Sequence, residues 1–379
     1  MSYLEHNLRR VPSGPAKILY LNWGLLALVI AAAGIGWLML YSVAGGSAEP
    51  WAGAHATRFG AAAVLMMGVA LVPIWFWRNM SVLAYLAALG LLVFVEVRGA
   101  IGMGAQRWID LGVMRLQPSE LMKLALVMVL AAYYDWLSLA RVSRPLAVLA
   151  PAALIALPVL LTLRQPDLGT AVLLAAGGGA VMFVAGVHWL YFAILAFGAI
   201  GLVAVVLTSR GTEWQLLSDY QYKRIDIFLD PGLEPLGAGY HITHSKIALS
   251  SGGWGGRGFM QGTQSRLDFL PENHTDFIFA SLGEEFGFVG SLSILAIYVL
   301  IVVFCIIVAL RTPSRFAALV TLGIAVTFFL FFAVNMAMVM GLVPVVGVPL
   351  PLVSYGGSAM LVLMLALGIV QSAHIHRPR

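Results

Sequence analysis

Charge and cysteine are the two things this sequence has least of. Lys, Arg, Asp and Glu together make up 10% of its 379 residues, against 61% hydrophobic residues. A water-soluble surface needs far more charge than that, so a soluble enzyme of one or two domains is excluded and lipid has to cover most of the outside. The one cysteine, Cys305, falls inside the apolar run 286–310, which rules out an intramolecular disulfide and any paired-cysteine zinc motif. Acidic residues are fewer than basic ones, leaving a formal charge of +5. The basic residues are scattered singly through short polar stretches, which argues against a nucleic-acid partner and for a role in membrane topology.

What is present is a succession of apolar runs. A span needs roughly 20 residues at about 1.5 Å rise each. Ten stretches approach that: 18–43, 59–77, 79–97, 119–140, 146–163, 168–187, 189–208, 277–310, 316–340 and 350–370. The expected fold class is therefore all-α, a polytopic bundle of about ten transmembrane helices forming one domain over 1–379. The polar, basic start leads into a run too long for a cleavable signal, which reads as the first span. An even number of spans puts both termini on one side. With that side cytoplasmic, Arg9, Arg10, Lys17, Arg78, Arg141, Arg144, Arg311, Arg315, Arg377 and Arg379 lie inside. Only Arg58, Arg98, Arg107, Arg115 and Arg164 fall in the short outer loops, as the positive-inside rule asks.

The exception to the pattern is the segment 209–275, which holds 13 of the chain's 39 Lys, Arg, Asp and Glu residues. It forms a large extracytoplasmic loop under this topology. Turn signals (DPGLEPLGAG), a helix-like stretch (YHITHSKIAL) and a glycine-rich run (SSGGWGGRGFMQG) predict partial order at the membrane surface.

Ionisable groups near membrane depth are expensive and invite a functional reading. Asp276 closes the long loop and opens the eighth span. It reads either as a helix N-cap or, flanked by Glu272 and His274, as a general base for a substrate hydroxyl. Glu284 and Glu285 lie about two turns deeper, too far for a close dyad, and read as packing or lumen groups. Glu120 and Lys123 are three apart on one helical face and predict an internal ion pair, which either orients the helix or presents a substrate-binding lysine. Arg164 and Asp167 (RQPDLGTAV) sit at an outer edge, from which Asp167 can join Glu120 and Lys123 in one polar pocket. The glycine-rich run with Arg257 reads as a phosphate cradle or a hinge. His241 and His244, with His274, offer a weak zinc pattern, and the absence of a metal site is the expectation. The stretch GLVPVVGVPLPLVSYGGSAM carries three prolines, and such irregular backbone at membrane depth must meet protein or a water-filled cavity.

These landmarks, GAQRWIDLG with QPSELMK, then QPDLGTA, DPGLEPLGAGYHITHSKIALSSGG, GTQSRLDFLPENHTDFIFASLGEEFG and LVPVVGVPLPLVSYGGS, closely resemble the SEDS family (shape, elongation, division and sporulation) over nearly the whole chain. Phe269 is more similar to the family's elongation branch than to its division branch. His244, Asn273 and Trp254 depart from the usual pattern. The resemblance implies a peptidoglycan glycosyltransferase of the bacterial inner membrane with its site facing the periplasm. It implies that Asp276 is catalytic, that Glu120, Lys123 and Asp167 belong to a polar cavity, and that the substrate is lipid II. It also implies a class B penicillin-binding protein transpeptidase as partner, with other membrane proteins of the elongation complex. On that footing one inverting displacement with undecaprenyl pyrophosphate release forms the product. The departing pyrophosphate needs positive charge, for which Lys123, Arg107, Arg210, Arg224 and Arg257 are candidates, with or without Mg2+ or Mn2+. Two rival readings are a flippase for lipid-linked sugars, which ten spans with helix-breaking prolines also suit, and a scaffold whose loop only recruits partners.

Overall fold

The computed structural model describes residues 14–377 apart from 103–104, 111, 113–114, 217–218, 234–237, 268 and 271. Among these, the chain is all-α, with thirteen α-helices and one small antiparallel sheet. The helices of the bundle are α1 (Trp23–Val43), α2 (Ala52–Leu71), α3 (Ile74–Arg98), α4 (Pro118–Trp136), α5 (Pro145–Arg164), α6 (Leu168–Val184) and α7 (Trp189–Thr208). Three short helices follow, α8 (Asp219–Leu229), α9 (Ala238–Ser251) and α10 (Thr263–Arg266), and then α11 (Ile278–Leu310), α12 (Arg315–Val339) and α13 (Gly357–Ile375). Strands β1 (Ala100–Gly102), β2 (Ala105–Asp110) and β3 (Arg115–Leu116) form a meander between α3 and α4.

Ten of these helices coincide with the ten apolar runs. Eight are long and apolar enough to cross a membrane, and α6 is apolar but shorter. The tenth, α4, carries Glu120, Lys123 and Asp135, and the structure shows why that is tolerated. Its residues from Met122 to Ala131 are all buried, because α3, α6 and α12 pack around it. A helix covered by protein on every side can carry paired charge that a lipid-facing one cannot. At the other extreme, no residue of α7 is buried, and only its first turn leans on the bundle, Phe192 against Phe183. Close approaches are made at glycine: a Cβ on Gly368 of α13 would press on Val69 and Met66 of α2 at 2.8 to 2.9 Å. The first span begins at Trp23 rather than residue 18, since Gly14–Tyr20 winds as a 3-10 helix ahead of it.

The chain alternates between two ends of the bundle. At one, Arg78 pairs with Asp135 at 2.8 Å and Ser143 donates to the Gly186 carbonyl. At the other gather the β meander, the 165–167 turn, the segment 209–277 and the irregular stretch 342–356. Much of 209–277 is helical, and α9 lies against α11 and α12 with Ile242, Ser245 and Ala248 buried. Ser245 Oγ donates to the Val339 carbonyl at 2.7 Å.

Candidate active site

Asp276 sits in the turn that precedes α11. Two neighbours hold its backbone: Asn335 of α12 donates from Nδ2 to the Asp276 carbonyl at 2.8 Å and to the Val348 carbonyl at 2.7 Å. Ser354 donates to the Thr275 carbonyl at 2.6 Å while accepting from Leu350 N, and Tyr355 N donates to the His274 carbonyl at 2.9 Å. The proline-rich stretch thus spends its free backbone groups on clamping this turn, which satisfies the requirement that irregular backbone meet protein. Gly347, at φ 67°, brings the stretch beside the carboxylate. A Cβ there would lie 3.6 Å from Asp276 Oδ2.

The carboxylates around this turn differ in the hydrogen-bond donors that reach them. Asp167 caps α6: it accepts from Thr170 N at 3.1 Å, Thr170 Oγ1 at 3.0 Å and Gln117 Nε2 at 3.2 Å, and Arg107 Nη1 stands 3.5 Å away. Its lone pairs are taken. The half-buried Asp276 carboxylate accepts no hydrogen bond among the described residues. Burial, followed by the negative charges of Glu272 and Asp167, lifts its pKa from 3.8 to about 6. A carboxylate so placed is ionised at neutral pH yet basic enough to take a proton, whereas a saturated one such as Asp167 is not available.

Around Asp276, His274 stacks on Trp51 with ring centroids 4.4 Å apart, and burial lowers its pKa against the opposing pull of Glu272. Glu272 itself takes the Thr275 hydroxyl at 2.7 Å. The expected Glu120–Lys123 pair is present at 2.7 Å, with the ammonium 4.0 Å over the Phe331 ring. Both residues line an apolar cavity between α4, α12 and α13 that reaches Ser354. Asp167 does not line this cavity and faces Arg107 and Gln117 instead, so the anticipated single pocket is two neighbouring polar places joined through the start of α4. Gly169, in the same motif, is required for packing: a Cβ there would collide with the Val346 carbonyl.

The remaining sequence candidates are held elsewhere. Arg210 forms a two-pronged pair with Asp226 at 2.7 and 2.8 Å, and the side chain of Arg224 lies outside the described residues. Arg257 lies across Thr263 (3.0 Å) and Glu284 (3.9 Å). Part of the glycine-rich run is committed to α11, with the amides of Arg257, Gly258 and Met260 bonded to Glu284 and Glu285. Helix α11 breaks at Gly287 (φ 65°, ψ −157°), which frees the Glu284 and Glu285 carbonyls to accept from Arg257 N and Gly258 N at 3.0 Å each. In return Phe288 N and Val289 N donate to the Gly253 and Trp254 carbonyls. The two glutamates act as loop anchors: Glu284 accepts from Thr263 and Gln264 amides, and Glu285 from Ser42 and Met260 N. The three histidines considered for zinc pack separately, His241 on Phe277, His244 on Gln264 and Phe269, and His274 on Trp51. Among the described residues no three His, Cys, Asp or Glu side chains form a metal cluster. Asn335 was missed by sequence reasoning, and nothing about an asparagine inside an apolar run separates it from a packing residue.

Comparison with known proteins identifies the family. The family model described as "Cell cycle protein", covering FtsW, RodA and SpoVE, matches residues 23–379. The peptidoglycan glycosyltransferase MrdB of Escherichia coli (strain K12) is 44% identical over 316 residues, covering 83% of each chain. A probable peptidoglycan glycosyltransferase FtsW of Tolumonas auensis is 33% identical over 369 residues, 95% of this chain and 93% of that one. Among solved structures, one from a peptidoglycan synthase complex that coordinates polymerization and crosslinking superposes with a TM-score of 0.80 at 31% identity, covering 93% of this chain and 97% of that one. The rod shape determining protein RodA of Thermus thermophilus gives 0.70 at 28%, covering 94% and 97%. The chain belongs to the FtsW, RodA and SpoVE family, the SEDS proteins, and lies on its RodA side.

Proposed function

We propose that this chain polymerises lipid II, with Asp276 as the general base. The reaction class, peptidoglycan glycosyl transfer, is the one named for its relatives MrdB of Escherichia coli and FtsW of Tolumonas auensis. The observation that carries the reading is the state of Asp276, a carboxylate with no hydrogen-bond donor among the described residues, lifted to about 6, in a turn clamped on both sides. It takes the proton of the acceptor sugar hydroxyl while that oxygen attacks the donor's anomeric carbon. The bond to pyrophosphate breaks on the opposite face, giving inversion in one step. Asn335 and Ser354 fix the turn, Asp167 and Glu272 keep the base poised, and the Glu120–Lys123 pair supports the adjoining cavity.

The end of the bundle that carries Asp276 faces the periplasm in this reading, with both termini cytoplasmic, as the distribution of Arg and Lys supports. A class B penicillin-binding protein is the proposed partner, with other elongation-complex proteins around it. No step runs through a divalent cation. The test is a gel assay of lipid II polymerisation by purified wild type and Asp276→Ala, each with and without a cognate transpeptidase. Polymer from wild type and none from the variant is expected. Polymer at the wild-type rate from Asp276→Ala sinks the proposal.

A further inference from the structure

Of the five cations that the sequence offered for the pyrophosphate, four are engaged by acidic partners. Lys123 closes on Glu120, Arg107 stands by Asp167, Arg210 grips Asp226, and Arg257 lies across Glu284. A cation matched with its own carboxylate is largely neutralised and offers less to a substrate phosphate, although Arg107 keeps a buried Nε without a partner among the described residues. One guanidinium near the Asp276 turn is in another condition. Arg58, in α2, is half-buried, and among the described residues it has neither a carboxylate nor a hydrogen-bond acceptor.

Its placement is built. The Cζ atom lies 4.6 Å over the Tyr355 ring, Tyr355 N is bound to the His274 carbonyl, and His274 stacks on Trp51 just before α2. Arg58 is therefore held over an aromatic ring one layer from the turn that carries Asp276, with its N–H donors unspent among the described residues. Beside it the chain is glycine: a Cβ at Gly357 would sit 3.4 Å from Nε and Nη1. A side chain at that position would crowd the Nε and Nη1 edge.

From this geometry we infer that Arg58 binds the pyrophosphate of the polyprenyl-linked donor and of the leaving group, in the reaction proposed above on which this inference rests. When the acceptor oxygen bonds to the anomeric carbon, its proton passes to Asp276. The electron pair of the carbon–oxygen bond departs on the pyrophosphate, which gains one negative charge. Arg58 meets that charge as it forms and so holds the product more tightly than the donor.

Direct binding tests this without catalysis. Purified wild type, Asp276→Asn, Arg58→Gln and Arg58→Lys are titrated with undecaprenyl pyrophosphate and, for comparison, with the neutral alcohol undecaprenol, after thermal unfolding confirms a folded protein. Asp276→Asn is expected to bind as wild type does. Arg58→Gln is expected to lose affinity for the pyrophosphate by about ten- to a hundredfold, with Arg58→Lys recovering part of it and undecaprenol binding unchanged throughout. Pyrophosphate affinity of Arg58→Gln within about twofold of wild type overturns the assignment. So does an equal loss for both lipids, which would mean that Tyr355 has simply lost its support. If Arg58→Gln does not fold, the preference of Arg58→Lys for pyrophosphate over alcohol decides: a preference reduced by about threefold or more supports the role, and an unchanged one overturns it. Should Asp276→Asn still polymerise lipid II, the general-base reading fails while the binding result for Arg58 stands.

Discussion

Asp276 is placed where its charge is unwelcome, and removing that charge should strengthen the fold while stopping the reaction. Burial and the nearby Glu272 and Asp167 raise its pKa from 3.8 to about 6. At about 1.4 kcal/mol per unit, the ionised form carries a penalty of up to about 3 kcal/mol, an upper bound because the group is only partly buried. The folded state holds this proton more tightly than the unfolded chain does. Stability therefore falls as pH rises from about 4 to about 6, with the penalty complete above that window and absent below it. Asp276→Asn should unfold at a higher temperature than wild type near pH 7.5, with the gap closing near pH 4.5. Polymerisation by the same variant should fall by about 10²- to 10⁴-fold, the usual contribution of a positioned base. Thermal unfolding in detergent at the two pH values, run beside the lipid II gel assay, reads both effects. A variant that melts below wild type near pH 7.5, or a gap that ignores pH, would refute the account of why this carboxylate is basic.

Three further outcomes follow from the same contacts. Wild-type kcat/KM should rise with pH through about 6 and then level off, as one carboxylate ionises; a profile flat from pH 5 to 8 contradicts it. Asn335→Leu leaves the Asp276 and Val348 carbonyls without their donor, so single-turnover rates should drop by about tenfold or more while lipid II affinity holds. Lys123→Met strands the buried Glu120 carboxylate and should lower stability by about 3–5 kcal/mol, most of it recovered by adding Glu120→Gln; additive losses in this double-mutant cycle would deny the pair.

Much of the architecture was legible because a bilayer restricts what a chain can do. Each span must satisfy its backbone internally over a fixed thickness, so ten apolar runs became ten helices. The Glu120–Lys123 pair was readable for a similar reason, since three residues on a helix bring two side chains to one face. Contacts between segments distant in sequence were not. The break at Gly287 and the glycine run that docks into it are 30 or so residues apart, and each alone resembles an ordinary hinge or an unbroken helix. That is why Glu284 and Glu285, read as packing or lumen groups, gave no sign of anchoring the loop, and why the contact of Arg257 with Glu284 could not be foreseen.

The sequence by itself determined that this is a polytopic helical membrane protein and which acid to suspect, because hydrophobic length and motif order are local properties. Which carboxylate is surrounded by donors and which has none, and which arginine stands by an acid and which does not among the described residues, were decided only by the tertiary structure. Asp167 and Asp276 differ in the donors that other helices bring to them, and Arg58 differs from Arg107 only in what the fold has set beside it. Charge state and hydrogen-bond saturation depend on neighbours in space, and the order of residues along the chain does not specify them.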